Sequence, residues 1–527
     1  MRFVDTHAHL DFPEYASDLE AVIGRAQEAG VRRIVTIGTD LESCRKALSI
    51  AERYPDIVRA ALGIHPHDAG AVDASVWPEL ERLAREPRLS DACHPGLARE
   101  PRVAGIGETG LDYFKKLSPP DKQKEAFRKH LEIAAKVGKP VIVHCRDAYS
   151  DCYSILTESG FYDVDEARPL GRPIPRTADK SGGPVVCLCR EHREGEGLRP
   201  AGVMHCFSGT VDHARRFAGL GFLVSFAGQL TFANAGKLRE TAAKIPIECV
   251  MLETDCPFLA PQARRGERNE PAFIPFIAEE LARIHKLAVA DIARVTTQNA
   301  KWLFNLPEED AGRIVYRIRD SVYVNLTERC SAACVFCLRH FTDYVKGHNL
   351  RIRNAEPSAE AVLAALRVEG IGTDSERKQE GQAATGPDGP PREVVFCGYG
   401  EPTLRLDVLK EVAAHVKKLG LQVRLDTNGH GDLINGRRIA PELVGLVDAV
   451  CVSLNAADAE EYERICRPSF GREAYDRVLE FARAARALLP KTEMTVVAYP
   501  GLNVQRCREI AASIDVPLRV RDYNVVG

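Results

Sequence analysis

The chain has 527 residues, 45% of them hydrophobic and 28% charged. That length exceeds one ordinary domain and suits two large ones, and the apolar content excludes global disorder. Its 71 basic and 74 acidic side chains leave a net charge of -3, which excludes a polybasic protein held to nucleic acid by bulk charge but permits a local phosphate site.

From the N-terminus, short β-branched runs alternate with amphipathic stretches. Strand candidates are 33–37, 140–144, 202–205, 222–225 and 250–253, and helical periodicity covers 18–30, 121–137 and 274–286. Strands alternating with helices form parallel βα units, and about eight of them close a barrel. The expected fold class is therefore α/β, with a (β/α)8 TIM-type barrel over 1–305, interrupted by a Gly- and Pro-rich insertion at about 159–201. The segment LPEEDAGR then breaks the pattern, which places a linker at 306–314. The alternation restarts at 321–326, 393–397, 422–426, 449–454 and 494–499. Residues 315–527 thus read as a second domain with a flexible insertion at about 370–391. No repeat links the halves, which points to fusion rather than duplication. Cys187, Cys189 and His192 in the first insertion lack a nearby fourth ligand and read as incidental.

No apolar run approaches about 18 residues, so no membrane span is expected. The opening MRFVDTHAHLDF has no basic segment and apolar stretch before its first strand, so no signal peptide is expected. A cytoplasmic chain follows, with its 16 cysteines as ligands or core thiols rather than disulfides.

His7 and His9 lie two apart in a strand, so their side chains emerge on one face. Glu108 follows a strand of its own, His144 and His205 close two others, and Asp255 follows a fifth. Burying four imidazoles and two carboxylates at strand ends is costly unless cations compensate, and the C-terminal rim of a barrel is where such donors converge. Nitrogen and carboxylate donors suit zinc or manganese, with magnesium also possible. Six donors suit two divalent ions sharing a carboxylate. Glu108 is the candidate bridge, His7, His9 and Asp255 complete one site, and His144 and His205 complete the other. Such a pair activates water and polarises a phosphoryl oxygen, with Asp255 as a proton acceptor.

The motifs VDTHAHLDF, ALGIHPHD, GIGETGLDYF, PVIVHCRDA, VMHCFSG and LETDCPFLAP resemble, in order, those of the TatD-family metal-dependent hydrolases. The resemblance covers about 1–304. It implies a (β/α)8 barrel, a deoxyribonuclease or phosphodiesterase activity, and the same six ligands. His65 and Arg146 fall in family motifs near the mouth, as candidate contacts to substrate phosphate. Arginine there suits a rim salt bridge equally well, and His67 stays undecided. DNA is the leading substrate class. Fold alone does not settle it, since relatives with similar metal clamps cleave lactones, amides and phosphotriesters.

Farther along, Cys330, Cys334 and Cys337 lie in ERCSAACVFCLRHF, just after a strand. Spaced C-x3-C-x2-C, they can hold three irons of a cubane and leave the fourth open. The arrangement resembles the radical S-adenosylmethionine (SAM) superfamily, including Phe336 before the last cysteine. The resemblance covers about 315–527 and implies a partial (β/α)6 barrel and a [4Fe-4S] cluster that reductively cleaves SAM to a 5′-deoxyadenosyl radical. An electron donor such as flavodoxin or ferredoxin is also implied. Gly398-Tyr-Gly-Glu-Pro402 is similar to the superfamily's glycine-rich GGEP segment, with Gly398, Gly400 and Glu401 expected at the SAM ammonium. Asn428, Ser453 and Asn455 are candidates for its ribose, and Asn428 and Asn455 could instead cap helices. Cys397 and Cys466 are assigned to packing.

The whole resembles a TatD-type hydrolase joined to a dedicated radical SAM partner: a bifunctional enzyme. One alternative gives the first barrel a small ester, amide or nucleotide. Another makes it a non-catalytic module that binds nucleic acid or a partner protein.

Overall fold

The structure, a computed structural model, describes residues 1–85, 102–159, 200–306, 312–337, 339, 344–352, 356–372, 390–499 and 501–521, with short strands at 168–169, 188–191 and 198–199. Cys187 and His192 lie outside the described residues, as does most of the sequence at 159–201 and 370–391. The chain divides into two compact units, Met1–Glu309 and Asp310–Gly527.

In the first unit eight parallel strands pair in chain order: β1 (Phe3–Ala8), β2 (Val31–Ile37), β3 (Val58–Leu62), β4 (Val103–Asp112), β5 (Val141–Arg146), β6 (Gly202–Met204), β7 (Phe222–Phe226) and β8 (Val250–Leu252). Every residue of β3 and β4 is buried, as a sheet covered by helices outside and side chains inside requires. Intervening helices carry ordinary stop and start signals. The helix Leu41–Arg53 begins where the Asp40 carboxylate accepts from Ser43 N at 2.8 Å, and Pro120–Val137 begins on a proline and stops at Gly138 with φ 67°.

The ring closes between β8 and β1 at the C-terminal end. Asp255 N donates to His7 O at 2.9 Å, and His9 N donates to Cys256 O at 2.8 Å. Below this seam the buried Asp5 carboxylate accepts from Thr254 N at 2.9 Å and Thr254 Oγ1 at 2.6 Å. Closing the barrel and bringing His7, His9 and Asp255 together are therefore one event.

The second unit holds an open seven-stranded sheet in the order β9 (Val315–Ile318), β10 (Ser321–Val324), β11 (Glu393–Phe396), β12 (Gln422–Thr427), β13 (Ala449–Ser453), β14 (Lys491–Val497) and β15 (Leu518–Arg521). β9 runs antiparallel to β10, and the other pairs are parallel. This gives six parallel strands of a partial barrel with one antiparallel edge. Alternate residues such as Val324, Phe396, Leu425, Val452 and Val496 enter the core shared with the helices. No helix among the described residues is long and apolar enough to cross a membrane.

Candidate active sites

Glu108 lies at the centre of the first unit's mouth, almost fully buried. Its Oε2 is 3.3 Å from His7 Nε2 and 3.9 Å from His9 Nε2. Its Oε1 is 2.7 Å from His144 Nδ1, 3.5 Å from His65 Nε2 and 3.6 Å from His205 Nε2. Asp255 Oδ1 faces His9 Nε2 at 3.5 Å and both His7 Nε2 and His205 Nε2 at 3.8 Å. The His7 and His205 rings stack at 3.5 Å. All six donors named from the sequence meet at one mouth, with the two oxygens of Glu108 turned to different groups of imidazoles. His65 stands as close to Glu108 as His205 does and joins Glu108 and His144 in a group able to hold an ion. His9, Glu108, His144, His205, Asp255 and His65 line a cavity of about 320 Å³ together with Phe12, His67 and Phe258.

The donor set fits divalent cations. Neither ring nitrogen of the buried His7 has a hydrogen-bond partner, and Nδ1 of His9 has none, a costly state for buried polar atoms facing two carboxylates. Burial would raise the Glu108 carboxyl, but His65, His205, His7 and the bond from His144 hold it well below the usual carboxylate range. Burial opposes a charge on His205, yet Glu253, Glu108 and Asp255 lift it to about 10. In the same way Asp112 and Glu108 lift His144 to about 9. The carboxylates thus demand positive charge at this point.

Two carboxylates missed from the sequence orient these ligands. Asp112 Oδ2 lies 3.2 Å from His144 Nε2, turning Nδ1 toward Glu108, and 2.8 Å from His67 Nε2. Glu253 Oε1 lies 3.1 Å from His205 Nδ1 and accepts from Cys206 N at 2.6 Å, while its Oε2 accepts from Ser225 Oγ at 2.7 Å. Their signal was proximity: each shares a strand or strand end with a candidate ligand, four residues after Glu108 and two before Asp255. Of the two readings of Arg146, the rim salt bridge is not formed among the described residues. Its guanidinium instead lies over the Phe114 ring at 4.6 Å.

In the second unit the three cysteines sit half-buried in the loop that leaves β10. This loop lies along the end of the helix Ala459–Cys466: Ala333 N donates to Cys466 O at 3.0 Å, and Val335 N to Ile465 O at 2.9 Å. Cys466, expected only to pack, lies beside Cys334, and the interaction of the two thiols lowers the Cys334 pKa. Burial pushes the Cys330 thiol up to about 12 and raises Cys337. Three thiols on one loop, two of them disfavoured as free thiolates, suit a cation-rich cluster. Phe336 packs 6.0 Å from Tyr499, ring to ring.

Side chains expected near SAM also brace the loops around the cysteines. The Glu401 carboxylate is buried and already accepts from Thr403 N, Thr403 Oγ1, Thr427 Oγ1 and Asn428 N at 2.7–3.1 Å. These bonds brace the loops, and Oε2, which accepts just one of them, keeps acceptor capacity beside the backbone of 398–401. Asn428 Nδ2 donates to Ser331 Oγ at 3.0 Å and Cys330 Sγ at 3.6 Å, while its Oδ1 accepts from His430 N at 2.9 Å. Its amide ties the cysteine loop to the end of β12 and caps no helix. Asn455 Oδ1 accepts from Val497 N at 3.2 Å, and the next helix is capped by Asp458. Ser453 ends β13, half-buried.

A closed barrel whose nitrogen and carboxylate donors converge at one mouth defines a metal-dependent hydrolase. Residues 4–305 match the family model described as TatD related DNase, and residues 324–514 match that of the radical SAM superfamily. The chain belongs to the TatD-related DNase family and carries a radical SAM domain behind it. It is 38% identical to the uncharacterized metal-dependent hydrolase YabD of Bacillus subtilis, over 57% of this chain and 98% of that protein. It is 32% identical to the 3'-5' ssDNA/RNA exonuclease TatD of Edwardsiella piscicida, over 58% and 99%. Among solved structures, the TatD homolog YjjV of Escherichia coli aligns at 28% identity and TM-score 0.46, over 58% of this chain and 99% of that one. AdoMet-bound anSMEcpe aligns at 16% and 0.28, over 38% and 50%. The two families imply divalent ions for the first unit, and SAM with an iron–sulfur cluster for the second.

Proposed function

We propose that the first unit hydrolyses phosphodiester bonds of single-stranded DNA with two divalent ions (zinc, manganese or magnesium), and that the second cleaves SAM reductively with a [4Fe-4S] cluster on Cys330, Cys334 and Cys337. The observation that carries the first half is Glu108 dividing its two oxygens between two groups of imidazoles, with both ring nitrogens of the buried His7 and Nδ1 of His9 left without a partner. His7, His9 and Asp255 would hold one ion and His144 and His205 the other, with Glu108 shared between them. His65 stands at the edge of the second group, toward the substrate phosphate. The exonuclease relatives support nucleic acid as the substrate class.

Bound divalent ions supply charge neutralisation at the phosphoryl oxygens and an activated water. The protein's own part is orientation and proton transfer. Asp255, at the open side of the donor set, accepts the water's proton. Glu253 and Asp112 fix the tautomers of His205 and His144, and Arg146 meets a phosphate oxygen at the rim.

In the second unit, Cys330, Cys334 and Cys337 would hold the cluster, which would supply the electron for reductive cleavage of SAM. The backbone of Gly398 and Gly400, with Glu401, would receive the methionine ammonium, Asn428, Ser453 and Asn455 would face the ribose, and Phe336 would seal the cluster loop. A flavodoxin- or ferredoxin-type donor would provide that electron.

The test is metal-dependent cleavage of a single-stranded oligonucleotide by the full chain. His205→Ala is expected to abolish it while the chain stays folded. Equal cleavage by that variant would overturn the assignment.

A further inference from the structure

Around the first unit's cavity stand side chains that the metal donors do not use. Apart from Met1, the large hydrophobic residues left exposed among the described residues of this unit are Phe114 (56%), Leu117 (67%) and Phe258 (49%). All three lie at the mouth. Phe114 and Leu117 follow Asp112 in the loop after β4, and Phe258 follows Asp255 and lines the cavity. In the ring order β4 and β8 are on opposite sides, so exposed aromatics flank the donors from both directions. Phe258 meets Phe12 edge-on at 5.9 Å, and Phe12 lies 4.8 Å from His9.

The Phe114 side is also cationic. Arg146 lies over its ring, and Lys115 and Lys116 are exposed beside it. None of these three forms an ion pair among the described residues. By contrast, Lys122, Lys124, Lys129 and Lys136 on the neighbouring helix each hold a carboxylate at 2.7–3.1 Å. Exposed aromatic rings interleaved with unpaired cations match the needs of one ligand class, an unpaired nucleobase with its phosphates. The base stacks on the ring, and the phosphates release counterions to the cations. A duplex keeps its base faces covered and cannot use such a platform.

We propose that Phe114, Lys115, Lys116 and Arg146 form a subsite for a base and the adjoining phosphates of a single strand, with Phe258 receiving a base on the far side of the scissile phosphate. This rests on the phosphodiesterase reading of the first unit.

The test is fluorescence anisotropy of a labelled oligothymidylate with the full chain in chelator, followed by hydrolysis with metal restored. Phe114→Ala is expected to weaken binding about tenfold, and Phe114→Trp to recover it. The Lys115→Ala/Lys116→Ala pair is expected to flatten the slope of log Kd against log salt by about 1.4. With metal, kcat/KM of Phe114→Ala falls at least fivefold more on the oligomer than on methyl p-nitrophenyl phosphate, which has no base to stack. Undiminished oligomer binding in both variants, no binding by the parent chain, or equal sensitivity with a blunt duplex would each overturn the subsite. If the parent binds the oligomer yet cleaves neither substrate, the hydrolase reading fails, and the binding data still decide the subsite.

Discussion

His130 is fully buried on the helix Pro120–Val137, with Nδ1 2.7 Å from Ala126 O and 2.9 Å from Thr109 Oγ1, while Nε2 accepts from Ile64 N at 2.8 Å. It pins the backbone beside two site residues, since Ile64 precedes His65 and Thr109 follows Glu108. A proton on Nε2 would face the Ile64 N–H with a second donor, and burial pulls the pKa down to about 4. In the unfolded chain the same ring takes a proton at about 6.5. Between these values the unfolded state binds more protons, so stability is present above about 6.5, declines as pH falls, and is about 3 kcal/mol lower below 4. Denaturant midpoints of the parent and His130→Gln, compared from pH 7 to 4, should show a shallower acid decline in the variant. Identical pH profiles would remove His130 from this role. Residues of this kind are hard to read from sequence. His7 or His205 stands out because a polar group ending an apolar strand needs a partner. His130, Asp112 and Glu253 look like ordinary polar positions until distant backbone groups are seen to meet them.

Loops in the second unit meet through backbone as much as through side chains. A Cβ on Gly400 would collide with Thr327 O and Arg329 O, and one on Gly398 with the Asn325 side chain. The glycines therefore allow the β11 loop to lie against the start of the cysteine loop, and Glu401 N donates to Arg329 O at 2.9 Å across that junction. Backbone oxygens cannot swing aside as a side chain would. Gly400→Ala is therefore expected to cost about 1–3 kcal/mol through overpacking and to part the two loops. Iron bound after anaerobic reconstitution should fall well below that of the parent, with divalent metal in the first unit unaffected. Full iron loading in Gly400→Ala would show that this apposition is unnecessary. The order of cysteine loop, glycine loop and later strand ends was legible because each follows an apolar run. The antiparallel β9 was not, since Val315–Ile318 directly follows the break in pattern and forms a hairpin edge rather than a βα unit. β3 was also missed, because its Val-Arg-Ala-Ala-Leu sequence has little β-branched signal, although Arg59 is buried with its guanidinium on Pro55 O and Val58 O. The docking of Cys466 on Cys334 joins positions 132 residues apart (466 − 334), which no local pattern can display.

At the scale of the molecule, two kinds of inorganic chemistry share one chain, and donor type keeps them apart. The first mouth offers imidazole and carboxylate, which suit harder divalent ions, and the second offers thiols, which suit iron–sulfur clusters. Cys206, beside His205, is the one thiol in the first unit's groups able to hold an ion among the described residues. Burial and the surrounding carboxylates raise its pKa well above the ordinary value, and Gln229 Nε2 donates to its sulfur at 3.1 Å. A single thiol among imidazoles and carboxylates also lacks the cysteine trio that an iron–sulfur cluster needs. Each centre should consequently load and fail on its own. Anaerobically reconstituted chain is expected to hold about four irons and up to two other divalent ions. Replacing Cys330, Cys334 and Cys337 with alanine should remove the iron and 5′-deoxyadenosine release but leave divalent binding and oligonucleotide cleavage. His205→Ala should do the reverse. Elemental analysis with both activity measurements checks this in one set of proteins. If either folded variant lost both metal complements together, donor chemistry would not be what separates the two centres, and their loading would have to be coupled through the chain.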